Sequence, residues 1–252
     1  MKNWFVKKFW TNFSTFEKFF LTSMIMMQIL IFCITPDNPL NLVAGVTAIV
    51  SSVLCSKGQI GFYFFSLIQT MSYMALAWQG RFYGMVIENI FYLITTLWCV
   101  LVWEKNSRLD ENGTKIVKVK KATPKMLIIS IVGMVVVTIA LGFVLGKVGS
   151  AQTYTDAAMT IMSVYAQFLM VYGYREQWLL WIVVDLLSVK MWFVAGNPSM
   201  VAMCLAWTAN CIYGWYNWTK LNKKANTDWR GTRAQTGAMD DAWALDLRMK
   251  EN

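Results

Sequence analysis

The run QWLLWIVVDLLSVK, residues 177–190, is apolar enough for a membrane interior and still carries a carboxylate. At about 100° per residue, Trp178, Trp181, Asp185, Ser188 and Trp192 share one helix face, and Lys190 lies off it. An ionisable group in such a run normally faces a bundle interior or a cavity, which makes this face a ligand-site candidate. Trp207, Asn210, Tyr213 and Asn217 form a similar stripe further along the chain, as do Tyr92, Thr95 and Trp98, with Glu88 and Asn89 one turn earlier. Gln69 and Tyr73 add a shorter one. Aromatic faces stack on planar rings. Amides and hydroxyls bond a carboxamide or a sugar. A phosphorylated solute would call for Arg or Lys in the lining, and Lys190 is the one cation inside these runs. The expected ligand is therefore nucleoside-like or vitamin-like, neutral or singly charged. The substrate-binding candidates are Gln69, Tyr73, Glu88, Asn89, Tyr92, Trp178, Trp181, Asp185, Trp207, Asn210 and Tyr213. For each, the competing role is hydrogen bonding between membrane helices.

What is missing narrows the chemistry. The 252 residues include no histidine, which excludes histidine-based catalysis and metal binding by histidine. No GxxxxGK[ST] loop is present, so no ATP hydrolysis is expected. The five cysteines, Cys33, Cys55, Cys99, Cys204 and Cys211, sit in apolar runs without a CxxC pair and read as packing residues. A membrane-embedded enzyme would need a partner for Asp185, and none is evident. The chain is read as a non-enzyme, with no catalytic residues, no metal and no cofactor.

The elements that must hold these stripes are membrane spans. Hydrophobic residues make up 57% of the chain and charged ones only 15%, against about 25% in soluble domains. Eight apolar runs stand out, at 19–35, 40–56, 60–78, 82–103, 125–146, 153–172, 177–195 and 199–218, several of them short for about 30 Å of hydrocarbon. With the N-terminus in the cytoplasm and eight spans, the cytoplasmic segments hold 20 Lys or Arg and the outer ones two, Arg81 and Lys147. That asymmetry places both termini inside. The net charge of +9 then reflects topology and contact with membrane lipid, not nucleic-acid binding.

Shifting the chain by 115 residues brings Gly58 onto Gly173, Trp103 onto Trp218 and Lys105 onto Lys220, with Tyr92 on Trp207, Trp98 on Tyr213 and Thr70 on Asp185. Spans 2–4 thus match spans 6–8, and span 5 between them leaves both triplets running the same way. The expected fold is an all-α polytopic membrane protein: two parallel three-helix-bundle repeats joined by a linking helix, plus one extra N-terminal helix. This is the 3+1+3 plan of sugar-transporting SWEET proteins, which places a substrate between the repeats. The segments are 1–39 (N-terminal segment and extra helix), 40–104 (first repeat), 105–152 (basic loop and linking helix), 153–219 (second repeat) and 220–252 (cytoplasmic tail).

REQWLLWIVVD (175–185), Tyr213-Gly214-Trp215-Tyr216-x-Trp218 and FYFFSLIQ (62–69) resemble helix motifs of the bacterial PnuC family of nicotinamide riboside transporters, with similarity over about residues 40–218. Span 4 departs from the family pattern in ending WCVLVW (98–103), and Asp185 stands where some relatives carry Asn. The resemblance implies a SWEET-like homotrimer in the bacterial inner (plasma) membrane, taking up nicotinamide riboside, a form of vitamin B3, for NAD biosynthesis. Facilitated diffusion by alternating access would be drawn forward by a cytoplasmic kinase that phosphorylates the vitamin, with no stable complex required. Trp181 and Tyr213 would stack on the nicotinamide, and Gln69, Asn89, Asp185 and Asn210 would bond ribose and carboxamide. Thiamine or riboflavin, carried by close relatives, is the alternative cargo.

Overall fold

A computed structural model describes residues 13–34, 38–79, 81, 83–109, 113–148, 153–194, 201 and 203–224. The expectations for 1–12 and for the tail beyond 224 lie outside the described residues. Eight helices fill most of the rest: α1 (Thr15–Ile34), α2 (Pro39–Ser56), α3 (Phe62–Gln79), α4 (Tyr83–Lys105), α5 (Pro124–Val148), α6 (Thr153–Val171), α7 (Gln177–Val194) and α8 (203–224). A two-stranded antiparallel ribbon, β1 (Ser107–Leu109) with β2 (Lys115–Val117), precedes α5. Thr15–Ile34, Pro39–Ser56, Val86–Lys105 and Pro124–Val144 are each long and apolar enough to cross a membrane. The outward side chains of α5 include Ile128, Ile129, Val132, Val136 and Ile139, as expected of a helix that meets lipid.

Local sequence sets the helix ends. Ser14 and Glu17 form a capping box: Ser14 N–H donates to Glu17 Oε2 at 2.5 Å, and Glu17 N–H donates to Ser14 Oγ at 3.2 Å. This starts α1 four residues before the apolar run at 19. Asn38 accepts from Leu40 N–H at 3.0 Å, and Pro39 opens α2. Two helices stop at left-handed glycines, Gly58 (φ 68°) after α2 and Gly173 (φ 76°) after α6. Each ends in a Schellman motif. Gly58 N–H donates to Cys55 O and Gln59 N–H to Leu54 O; Gly173 N–H donates to Met170 O and Tyr174 N–H to Leu169 O.

These two ends are 115 residues apart, and other contacts share that offset. Cys55 Sγ meets Met170 Sδ at 3.8 Å across a separation of 115 residues. Trp103 Nε1 donates to Met170 O and Trp218 Nε1 to Cys55 O, each at 3.0 Å. Gln167 donates to Thr95 Oγ1, and Asn210 donates to Ser52 Oγ. Adding 115 to one member of each pair and subtracting it from the other exchanges the two bonds. Thus α4 is tied to α6, and α8 to α2, by equivalent bonds. Both Trp rings are fully buried and lie 5.8 Å apart.

The strand segment after β1 wedges between these two helix ends. Val117 N–H donates to Gly58 O and Lys120 N–H to Gly173 O, at 2.9 and 2.8 Å. This end of the bundle carries Lys57, Lys105, Lys115, Lys120, Arg175 and Lys220, and is called the basic end below. α8 continues to 224, past the boundary expected at 219. Asn222, in the last turn of the described helix, donates to Val119 O at 2.8 Å.

Candidate functional site

α2, α3, α4, α6, α7 and α8 enclose a cavity of about 470 Å³, while α1 and α5 contribute nothing to its lining. Each lining helix presents a stripe at three- and four-residue spacing: Ala48, Ser51, Ser52 and Cys55 from α2, and Phe62, Ser66, Gln69, Thr70 and Tyr73 from α3. α4 adds Glu88, Asn89, Tyr92 and Thr96, and α6 adds Gln167 and Met170. The rest are Gln177, Trp178, Trp181 and Asp185 of α7, with Trp207 and Cys211 of α8.

The lining is graded along its depth. At the basic end Cys55, Phe62, Met170, Gln177 and Trp178 are buried, and Trp178 packs edge-on against Trp218 at 5.9 Å. Tyr73 and Glu88, toward the opposite end, are exposed. Asp185 lies between, half-buried, and its Oδ2 accepts from Cys211 Sγ at 3.4 Å. Glu88 and Tyr92 lie one turn apart on α4 and both line the cavity. Gly214 lets the Trp178 indole sit flush on α8: a Cβ there would be 2.6 Å from the ring.

Two charges and six aromatic rings characterise this wall chemically. Among the described residues, Glu88 and Asp185 are its carboxylates, and no Lys or Arg lines it. Phe62, Tyr73, Tyr92, Trp178, Trp181 and Trp207 supply the rings. Such a surface holds a flat cation by ring-face and carboxylate attraction. It offers a phosphate no counter-charge.

Nine of the eleven residues expected from sequence line this cavity: Gln69, Tyr73, Glu88, Asn89, Tyr92, Trp178, Trp181, Asp185 and Trp207. Asn210 and Tyr213 do not. Asn210 is buried against α2, bonded to Ser52. Tyr213 is turned to the start of α1, where its hydroxyl meets Ser14 Oγ at 3.3 Å and its ring packs on Phe16 at 4.7 Å. Trp98, its counterpart 115 residues earlier, also lies away from the lining, edge-on against Phe168 and Tyr172. Ser188 bonds back to Val184 O at 2.9 Å and is absent from the described lining, and the side chain of Trp192 lies outside the described residues.

Sequence reasoning passed over Ser51, Ser52, Ser66, Thr96, Gln167 and Gln177, noted Thr70 only as the counterpart of Asp185, and treated Cys55 and Cys211 as packing alone. The 115-residue shift was the signal that could have found most of them. It pairs Ser52 with Gln167, Cys55 with Met170, Phe62 with Gln177, Ser66 with Trp181, Thr70 with Asp185, Tyr92 with Trp207 and Thr96 with Cys211, and every member of these pairs lines the cavity.

Comparison with known proteins agrees in family across the whole core. The sequence profile of the family described as nicotinamide mononucleotide transporter matches residues 38–220. The chain is 36% identical over 221 residues to the nicotinamide riboside transporter PnuC of Haemophilus influenzae, spanning 87% of this chain and 96% of that one. It is 33% identical over 229 residues to the PnuC of Neisseria mucosa, with 88% and 87% covered. Among solved structures, the crystal structure of the vitamin B3 transporter PnuC superposes with a TM-score of 0.75 at 31% identity, covering 88% of this chain and 98% of that chain.

Proposed function

The chain belongs to the nicotinamide mononucleotide transporter family, and on that footing we propose that it carries nicotinamide riboside across the bacterial inner membrane by facilitated diffusion. It is a membrane transporter, not an enzyme, as its relatives are. The family description names the mononucleotide and the relatives' names the riboside. The observation that favours the riboside is the charge of the lining: among the described residues it holds two carboxylates, six aromatic rings and no Lys or Arg. The riboside is a flat pyridinium cation with a carboxamide and a sugar. The mononucleotide adds a phosphate dianion, which would sit among carboxylates without a partner.

In this reading Trp181 and Trp207 face the pyridinium ring, Asp185 and Glu88 offset its charge, and Gln69 and Asn89 bond sugar hydroxyls. The bonds exchanged by the 115-residue shift support two parallel three-helix repeats joined by α5, with α1 as the extra helix. The segment boundaries proposed from sequence, 40–104 and 153–219 among them, follow that plan. The two repeats would rock about the cavity to give alternating access. The concentration of Lys and Arg at one end supports a cytoplasmic location for that end and both termini. Capture inside by a kinase that phosphorylates the vitamin would make uptake one-way without ion coupling or a stable complex, and the working unit would be a homotrimer.

Titration of purified protein with nicotinamide riboside, nicotinamide mononucleotide, thiamine and riboflavin, followed by tryptophan fluorescence, tests the cargo. Saturable quenching by the riboside at the lowest concentration is expected. A stronger response to the mononucleotide would overturn the reading of the lining, and a stronger response to thiamine or riboflavin would reassign the vitamin. Kinase-free proteoliposomes that concentrate riboside along a proton gradient would overturn facilitated diffusion.

A further inference from the structure

Gln177 opens α7 at the basic end of the cavity, fully buried, and neither Nε2 nor Oε1 has a hydrogen-bond partner. Trp178, beside it, is 4% exposed, and its Nε1–H is also unpartnered. Buried polar groups in folded proteins are almost always satisfied, so three open positions on adjacent residues facing one cavity mark a site kept for something that enters it. Of the other buried amides, Gln167 donates to Thr95 and Asn222 to Val119 O, while Asn210 donates to Ser52 and leaves its Oδ1 without a partner. Among the described residues, Gln177 is the buried amide with neither end engaged.

We propose that Gln177 and Trp178 form the carboxamide-recognition subsite of the cavity, and so fix the substrate's orientation with its amide toward the basic end and its sugar toward Glu88 and Asn89. This inference rests on the nicotinamide riboside reading above and deepens it. The chemistry is a count of donors and acceptors. The floor offers Gln177 Nε2–H and Trp178 Nε1–H as donors and Gln177 Oε1 as acceptor. A primary carboxamide presents a carbonyl oxygen with two lone pairs and an NH₂ donor. Its carbonyl takes both floor donors while its NH₂ donates to Gln177 Oε1, so every group is paired. A carboxylate at the same place would set a negative oxygen against Gln177 Oε1, with no cation among the described lining residues to relieve it. The subsite therefore selects amide over acid. The aromatic neighbour Phe62 and the sulfur atoms of Cys55 and Met170 close the floor and keep bulk water from competing for these donors.

The ring then extends from the floor along α7. Asp185 lies eight residues from Gln177, about 12 Å at 1.5 Å per residue. That places the carboxylate on the sugar side of the pyridinium and leaves the amide end uncharged.

The test is calorimetric titration of the full chain with two ligands that differ in one group, nicotinamide riboside and nicotinic acid riboside. The wild type is expected to favour the amide by tenfold or more. Gln177→Ala should weaken the amide about tenfold and the acid less than about twofold, collapsing the preference, because an unpaired buried amide is lost along with its bond. Trp178→Phe, which removes the N–H and keeps a ring, should move the preference the same way by about threefold. Retained binding of the acid reports that each variant is folded. If Gln177→Ala lowers both ligands equally, or neither, Gln177 only packs and this inference fails alone. If the wild type binds neither riboside, the transport reading fails and takes this inference with it.

Discussion

α2–α4 and α6–α8 place their lining residues at the same positions and fill them differently. Where the first set brings Ser52, Phe62, Ser66 and Thr70 to the cavity, the second brings Gln167, Gln177, Trp181 and Asp185 at the 115-residue counterparts. Away from the lining the two sets agree: Gly58 and Gly173 end their helices in the same left-handed turn, and Trp103 and Trp218 make the same bond across to the opposite helix end. Identity is kept at the helix-ending glycines and the paired tryptophans, and divergence falls where the two sets face the cavity. A container with matching halves would hold a ligand equally well either way round. Unlike residues at matched positions, Ser52, Phe62, Ser66 and Thr70 against Gln167, Gln177, Trp181 and Asp185, would give it a single favoured orientation.

The largest effects should come from the shared frame, and they should come in equal pairs. Trp103 and Trp218 are each fully buried and each satisfy a carbonyl that a glycine N–H already occupies. Trp103→Ala and Trp218→Ala should each cost about 3–5 kcal/mol through the space left behind. The paired Phe variants should each cost about 1 kcal/mol through the lost hydrogen bond. Thermal unfolding in detergent, followed by circular dichroism, reads both. A difference of several kcal/mol between the two Ala variants would mean that the matching bonds do unequal duty.

Next come substitutions that should act on one half alone. Gly214→Ala would drive a methyl to 2.6 Å from the Trp178 indole and push the ring into the cavity. Overpacking of this kind costs about 1–3 kcal/mol. Riboside affinity should fall by about tenfold, while Cys99→Ala, at the counterpart position, should change it by less than about twofold. Asp185→Asn should weaken the cationic riboside by about tenfold through lost attraction to the pyridinium, and Thr70→Val, its counterpart, by less than about threefold. Both comparisons are read by tryptophan quenching. Equal losses at Asp185 and Thr70 would show that the two sides hold the ligand alike.

Most of the frame was legible in the sequence because membrane helices must be apolar for most of a span. The eight runs anticipate eight helices, and the repeat of Gly58 and Trp103 at Gly173 and Trp218 anticipates contacts now seen in atoms. Helix ends were less legible. α1 begins at Thr15 through a capping box of polar residues that a scan for apolar runs passes over, and α8 continues to 224 through residues that read as tail. The β1–β2 ribbon was invisible, since its pairing is made by backbone groups under a lysine-rich sequence. In the cavity, the aromatic and charged members stood out as costly in a membrane. Ser, Thr and Cys did not, because the same residues serve as helix contacts. Gln177 opens the run expected at 177–195, and a polar residue at a helix start gave no sign that the fold buries it. Asn210 and Tyr213 were misjudged in direction: helical spacing puts them on a common stripe, but α8 turns that stripe toward α2 and α1.

The smallest effect expected tests whether the match between the halves extends to their surfaces. Glu104 and Thr219 are counterparts at the basic end. Glu104 Oε2 meets Lys115 Nζ at 2.5 Å with both side chains about half exposed, 44% and 53%. Thr219 Oγ1 instead accepts from Arg175 Nη1 at 3.2 Å, and that guanidinium is largely buried, lies over the Trp215 ring at 4.8 Å and pairs with Glu176 at 3.2 Å. The cation of the first half is hydrated and screened; that of the second is held on three sides. Exposed pairs contribute about 0–1 kcal/mol, because water and salt supply most of what the partner does. Glu104→Thr, which gives the first half the residue of the second, should therefore change unfolding stability by less than about 0.5 kcal/mol and leave riboside affinity within error. A loss of about 2 kcal/mol or more would mean that Glu104 and Lys115 brace the ribbon against the helix ends, and that the first half relies on its surface charge as the second relies on its buried one.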